Sequence, residues 1–273
     1  MDKRLRIAFI GAGKVGCSLA RYLGESGAAD IAGFFSRSES STREAVEFAG
    51  GAAFTSLADI AEAADAVFVT TPDGAIREVA EELTACGVDL DGKIVVHCSG
   101  ATSSDALAAC RDAGALVASM HPLYAVSSRF DCWQELGHAW FSLEGDEVAV
   151  STLEALLDNL GNKHGRIDAA QKTRYHAAAV MASNLVVGLY DMAAGELARC
   201  GLDCAEAESA LAALFLGNAQ HIASDGVEAS LTGPAARGDQ ATIDGHLACL
   251  DGRDRQVYEL LTEELFEIAA RRK

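Results

Sequence analysis

The stretch Leu5-Arg-Ile-Ala-Phe-Ile-Gly-Ala-Gly-Lys-Val-Gly16 constrains the fold of this chain more than any other. Leu5, Ile7, Phe9 and Ile10 form a short apolar run with strand-like spacing, and Cys17 to Leu23 reads as a helix. The turn between them is Gly11-x-Gly13-x-x-Gly16. Gly11 permits the tight turn, Gly13 lets backbone amides approach a pyrophosphate, and Gly16 lets the helix pack closely on the strand. A diphosphate would rest on the helix N-terminus, where free N–H groups point outward. Gly11, Ala12, Gly13, Lys14, Val15 and Gly16 are thus candidate contacts to a dinucleotide.

Strand and helix patterns alternate after this unit. Asp30–Phe35, Ala52–Phe54, Ala66–Thr70 and Ile94–Cys98 read as strands. Glu44–Gly50, Leu57–Ala63, Gly74–Cys86 and Ser104–Ala113 read as helices between and after them. Such alternation predicts an α/β fold with a parallel sheet wound on both faces. Ala115–Met120 and Ala139–Leu143 are further strand candidates, and the alternation stops after Gly145. A helix over Glu147–Leu160 and an extended piece near Gly165–Asp168 precede a run that is helical to the end. The expected division is 1–150 for a nucleotide-binding domain and 151–273 for a helical substrate and dimerisation domain, with the boundary between 146 and 168.

With 273 residues, half of them hydrophobic, a substantial core is available in one large or two ordinary domains. The formal charge of −18 argues against a nucleic-acid partner, whose phosphates need a basic surface. No apolar run reads as long enough to span a bilayer, and the charged N-terminus leads into a strand rather than a signal peptide. Eight scattered cysteines without a Cys-x-x-Cys pair suggest reduced thiols in a cytoplasmic protein. No metal site is expected, because no two histidines share helical i, i+4 spacing.

Three segments at the expected carboxyl edge of the sheet carry polar residues. Ser36 lies twenty residues beyond Gly16, where an acidic residue would grip an NAD ribose. Ser36-Arg37-Ser38 instead offers a guanidinium and two hydroxyls to a 2′-phosphate, which favours NADP; the alternative is a solvated loop with a helix cap. Thr70, Thr71 and Pro72 end the fourth strand and suit backbone contacts to the cofactor, while Asp73 is as readily a helix cap. Ser99 and Gly100 lie where the next strand passes into a loop, so that hydroxyl and backbone can approach a nicotinamide or a substrate oxygen, whereas His97 within the strand reads as a core histidine. His121 precedes Pro122, which holds it extended, and is a candidate acid or carboxylate donor.

In the second half, Lys172, His176, Ser183 and Val187 fall on one helical stripe with Asn184 at its edge. The surrounding Ala, Val, Leu and Met predict a largely buried helix, so these polar groups need partners: another helix, or a substrate in a cleft. Arg237, in the turn-rich segment Leu231–Asp239, is a candidate clamp for a carboxylate or phosphate, or one half of an Arg–Asp pair.

The glycine turn, Ser36-Arg-Ser, Thr71-Pro-Asp-Gly-Ala-Ile76, His97-Cys-Ser-Gly-Ala and Ser119-Met-His-Pro-Leu resemble a family of Rossmann-like oxidoreductases. Tyr175-His-Ala-Ala-Ala-Val-Met-Ala-Ser-Asn184 and Leu231-Thr-Gly-Pro-Ala-Ala-Arg-Gly-Asp239 extend the resemblance over nearly the whole chain. That family joins an NADP-binding domain to a helical C-terminal domain of unassigned function, in a 6-phosphogluconate-dehydrogenase-like arrangement. It is similar to pyrroline-5-carboxylate reductases, 3-hydroxyacid dehydrogenases and deazaflavin-dependent NADP oxidoreductases. The resemblance implies a homodimer formed through the helical domains. Lys172 matches the substrate-binding Lys of the hydroxyacid dehydrogenases, but His176 stands where those enzymes have Asn. The Ser-Pro-Gly-Gly-Thr-Thr segment of the pyrroline-5-carboxylate reductases is absent.

The expected activity is hydride transfer between NADP(H) and a small keto, hydroxy or imino acid. Ser99 and His121 would lie near the nicotinamide, with His176 or Lys172 handling the proton. Asn184 would orient the reacting atom and Arg237 would hold a carboxylate. The alternative is a non-catalytic NADP(H) sensor that kept the fold and lost the chemistry.

Overall fold

A computed structural model describes residues 4–272. Its first compact unit extends to Ser183 and its second starts at Asn184. Within the first unit, strands β1 (Leu5–Ile10), β2 (Ala29–Phe35), β3 (Ala52–Ala53), β4 (Ala66–Val69), β5 (Ile94–His97) and β6 (Leu116–Leu123) pair in parallel. β7 (Trp140–Gly145) and β8 (His164–Arg166) complete an eight-stranded sheet of order 3-2-1-4-5-6-7-8. The order reverses direction between β1 and β4, the switch point where ligands of open α/β sheets bind.

Helices α1 (Lys14–Glu25), α2 (Glu39–Ala49), α3 (Leu57–Glu62), α4 (Ile76–Ala85), α5 (Ala108–Asp112) and α6 (Glu147–Leu160) belong to this unit. One core contains Phe9, Phe34, Phe68, Met120, Phe141 and Leu153; a second contains Ala8, Ile10, Val67, Val69, Ile76 and Val95. Alternate residues of β1 and β4 thus feed both cores. This two-sided burial explains why these strands read as continuous apolar runs rather than alternating ones. Ser38 and Ser56 cap α2 and α3 by accepting the Ser41 and Asp59 amides, and Gly161 ends α6 at φ 73°.

Two expectations about the sheet change. β7 runs antiparallel to β6, because the chain returns through a loop and a 3-10 turn rather than a crossover helix. β8 then pairs in parallel with β7, so the extended piece after α6 is an edge strand of the first unit. Compactness therefore divides the chain after Ser183, later than the 146–168 boundary expected from where the alternation stops.

α7 (Lys172–Met181) closes the first unit, and α8 (Asn184–Ala198) opens the second. The expected single stripe through Lys172, His176, Ser183 and Val187 is interrupted by the turn at 182–183. Nor is that region mainly buried: Lys172 is enclosed, but Met181, Leu185 and Val187 are exposed. The stretch Ala169–Ala198 is long and apolar enough to cross a membrane by length and composition, a run the sequence reading missed. Its N-terminal part is anchored to protein instead, through the buried side chain of Lys172.

The second unit continues with α9 (Cys204–Asp225), α10 (Val227–Ser230), α11 (Gly233–Arg237), α12 (Gln240–Cys249) and α13 (Gly252–Arg271). Asp203 and Glu206 start α9 with a capping box. Ala194, Ala207, Ala235, Ile243 and Ile268 are buried within it, whereas Leu214, Phe215, Leu216, Leu260 and Leu261 are exposed.

Candidate active site

Parallel registry aligns the strand ends that build the site. Ile10 pairs with Phe35 and Val69, Val69 with His97, and His97 with Ser119. The residues that follow this row, including Gly11, Ser36, Thr70, Ser99 and His121, consequently share the carboxyl rim of the sheet.

The glycine turn is shaped at this rim by protein contacts and by open space. Gly11 adopts φ 111°, donates its amide to the Phe35 carbonyl at 2.8 Å and accepts the Thr70 hydroxyl at 2.9 Å. A Cβ on Gly16 would stand 2.4 Å from Thr70 Oγ1 and 2.5 Å from the Gly11 carbonyl, so the helix touches the strand at this point. A Cβ on Gly13 would meet nothing nearer than the Thr70 carbonyl at 4.0 Å. Gly13 therefore faces open space at the N-terminus of α1, whose first turn has neither a side-chain cap nor an acidic residue. Uncapped amides beside an open glycine suit a diphosphate. Ala12 is buried and Val15 packs against the core, so they can offer only backbone, while Lys14 is exposed.

A cavity of about 370 Å³ extends from Gly11, Ala12 and Gly13 past Thr70, Thr71 and Pro72 to Ser36, Arg37 and Ser38. Thr71 Oγ1 is buried there without a hydrogen-bond partner, as expected of an atom that awaits a ligand. Arg37 is exposed and forms no ion pair among the described residues, unlike Arg43, which reaches Glu39 at 3.5 Å. Ser38 Oγ accepts the Ser41 amide and Ser36 Oγ accepts the Ser38 amide. Both serines thus shape the loop and aim the N-terminus of α2, and Arg37 is the free cation between them. The residues present fit a nicotinamide dinucleotide.

Further along the rim lies a buried polar cluster. The Lys172 ammonium donates to the Ser99 carbonyl at 2.9 Å and to Ser119 Oγ at 2.8 Å. Burial holds this lysine below its ordinary pKa, opposed by the charges of Glu144, Cys98 and Asp73. His97, fully buried, donates from Nε2 to the Ser103 carbonyl at 3.0 Å and accepts the Ser99 amide on Nδ1 at 3.1 Å. Burial lowers its pKa to about 4, so it is a neutral core histidine that shapes the Ser99 loop. Ser99 Oγ accepts the Ala101 and Thr102 amides, which holds the loop in a tight turn.

His121 Nδ1 lies 2.8 Å from the Tyr175 hydroxyl, with the two rings edge to face. A Cβ on Gly100 would approach His121 Nε2 at 2.8 Å and His176 Cδ2 at 2.9 Å. Two imidazoles therefore close on one glycine backbone, which explains why that position lacks a side chain. Burial and the Lys172 charge lower the His121 pKa to about 4, so it is neutral near pH 7. Lys172, His176, Ser99 and His121, four of the sequence candidates, thus meet in the first unit. Asn184 and Arg237 belong to the second unit: Asn184 opens α8 and Arg237, exposed, ends α11. Asp239 caps α12 by accepting the Thr242 amide and hydroxyl.

Sequence reasoning missed Ser119, Glu144 and Tyr175. Glu144 is buried and accepts the Ser104 amide at 2.6 Å and hydroxyl at 2.8 Å. Ser119 and Tyr175 sit within motifs that were noticed, but nothing in their spacing marks them as neighbours of Lys172. Among the described residues no group of three His, Cys, Asp or Glu side chains gathers to hold a metal.

Residues 1–122 match a Rossmann-like domain, and residues 139–265 match a domain of unknown function, DUF2520. The chain therefore joins a Rossmann-like domain to a DUF2520 domain. A protein from Thermotoga maritima shares 29% identity at a TM-score of 0.75, covering 98% of this chain and 100% of its own. A Bacteroides fragilis protein provisionally designated an NADP oxidoreductase shares 24% identity at 0.73, covering 97% and 98%. Plasmodium falciparum pyrroline carboxylate reductase, with NADP bound, has the same fold at 11% identity and a TM-score of 0.60, covering 97% and 98%. No curated protein matches the sequence.

Proposed function

We propose that this protein is an NADP(H)-dependent oxidoreductase acting on a small keto, hydroxy or imino acid. The observation that carries the reading is the placement, on one rim, of an open glycine turn and a Lys–Ser–His–Tyr cluster around the buried Lys172. Gly13, Thr71 and Arg37 would hold the diphosphate and the adenosine 2′-phosphate. When bound, the nicotinamide supplies or accepts hydride. Lys172 fixes the Ser99 loop and Ser119 through its two hydrogen bonds, while His121 and His176 face Gly100 with their rings. The neighbouring fold of NADP-bound pyrroline carboxylate reductase is in keeping with this chemistry.

We further propose a homodimer formed through the second unit and a cytoplasmic setting. Leu214, Leu216, Val187 and Leu260 leave an apolar surface of a kind that marks interaction sites.

The test is NADPH binding followed by a screen of oxo and imino acids, read by the absorbance of the reduced nicotinamide. Oxidation of NADPH by one of these acids is the expected result. Tight NADPH binding without turnover across a broad panel would identify a sensor instead.

A further inference from the structure

Tyr175 does not line the glycine-turn cavity, and its hydroxyl is 2.8 Å from His121 Nδ1. A phenol is the stronger donor of this pair and a neutral imidazole nitrogen the stronger acceptor. Ser142, buried beside the phenol and paired with His121 across β6 and β7, has no hydrogen-bond partner of good geometry. The hydroxyl proton therefore goes to His121 Nδ1. A neutral imidazole that accepts on Nδ1 carries its own proton on Nε2. Nε2 has no protein partner among the described residues and faces the backbone of Gly100.

We propose that Tyr175 is a positioning residue that locks His121 as an Nε2–H donor, and that this donor selects a substrate whose reacting group presents a carbonyl or hydroxyl oxygen over one that presents a protonated imine. The inference rests on the oxidoreductase reading and narrows its substrate class to keto or hydroxy acids. An iminium N–H is itself a donor and finds no acceptor on Nε2. The Lys172 ammonium, held at 2.9 Å on the Ser99 carbonyl next to Gly100, adds repulsion against a cation. Of the nearby carboxylates, Glu144 is engaged by Ser104; His121 also faces the charges of His176 and His97, which act with Lys172, and that of Asp73, which opposes them. A keto oxygen meets the reverse conditions: a donor N–H and a nearby cation.

The test uses the full chain with ¹⁵N-labelled histidine and the two-bond ring correlations that distinguish imidazole tautomers. Wild-type His121 is expected as the Nε2–H tautomer at neutral pH, and Tyr175→Phe as a mixture, because only the hydroxyl is lost. An Nδ1–H tautomer or an imidazolium in the wild type overturns the proposal, as does an unchanged tautomer in Tyr175→Phe. Pyruvate and 2-oxobutyrate, added with NADP⁺, are then compared with 1-pyrroline-2-carboxylate, so that a carboxylate is present in both arms. The keto acids should shift the His121 Nε2–H resonance and bind Tyr175→Phe about tenfold more weakly, the loss of one well-placed hydrogen bond. A shift with 1-pyrroline-2-carboxylate alone, or with neither class, overturns the substrate assignment. Amide shifts at Gly13 and Arg37 on adding NADP⁺ report the cofactor reading separately, so the two failures are distinguishable.

Discussion

The Lys172 ammonium donates to Ser119 Oγ at 2.8 Å and thereby ties the first turn of α7 to the end of the parallel sheet. The same ammonium holds the Ser99 carbonyl, so one buried cation fixes two strand ends of the site. Removing the cation and removing the stem have different consequences. Lys172→Ala is expected to cost about 2–3 kcal/mol, mostly from the cavity left by the stem. Lys172→Met keeps the stem and removes a buried charge, and should unfold within about 1 kcal/mol of wild type. Ser119 Oγ still reaches the Ser99 carbonyl at 3.3 Å in that variant. Urea midpoints of the three proteins provide the comparison, and equal losses in both variants would contradict it.

Gly13 and Gly16 should respond differently to alanine. At Gly16 the new Cβ collides with Thr70 Oγ1 and the Gly11 carbonyl, so Gly16→Ala is expected to lower stability and abolish NADPH binding. At Gly13 the Cβ meets no protein atom closer than 4.0 Å, and the backbone φ of −85° is open to any residue. Gly13→Ala should therefore melt like wild type but bind NADPH at least tenfold more weakly, about 1.4 kcal/mol. Thermal unfolding and fluorescence titration separate the two effects.

Arg37 is the test of cofactor choice. Arg37→Ala is expected to weaken NADPH by about ten- to a hundredfold, the loss of about 1.5–3 kcal/mol for a charge-assisted contact. NADH affinity should be unchanged, because NADH lacks the 2′-phosphate. A wild-type preference for NADH would overturn the assignment of Arg37.

Acid should destabilise the first unit through its buried histidines. His97 and His121 titrate at about 4 in the folded protein against an ordinary value of 6.5. Between those values the unfolded chain binds more protons than the native one, so stability falls as pH drops from about 6.5 to about 4. The expected loss is of order 2–3 kcal/mol per histidine. Above 6.5 both groups are neutral in either state and their contribution is flat. Urea midpoints against pH for wild type and His97→Asn check the sign, since the variant should show a shallower slope.

The exposed apolar side chains of the second unit lead to a prediction about assembly. Wild type is expected to sediment as a dimer, and Val187→Asp with Leu214→Asp as a monomer of unchanged helix content. A wild-type monomer at all concentrations would remove the self-association reading.

The amino-acid sequence alone determined the strand–turn–helix unit at Gly11–Gly16, because three glycines at that spacing have separate steric tasks that local geometry imposes. It likewise determined the alternation of buried strands and amphipathic helices, which periodicity exposes directly. The antiparallel β7 and the edge strand β8 were not legible, since pairing direction depends on where a loop returns and not on side-chain pattern. Nor was the length of the first unit, which runs through α7 because Lys172 finds its partners on Ser99 and Ser119. The contact of His121 with Tyr175 joins positions 54 residues apart, and those of both imidazoles with Gly100 join three separate segments. Only the folded sheet, by aligning strand ends in register, decides such neighbours.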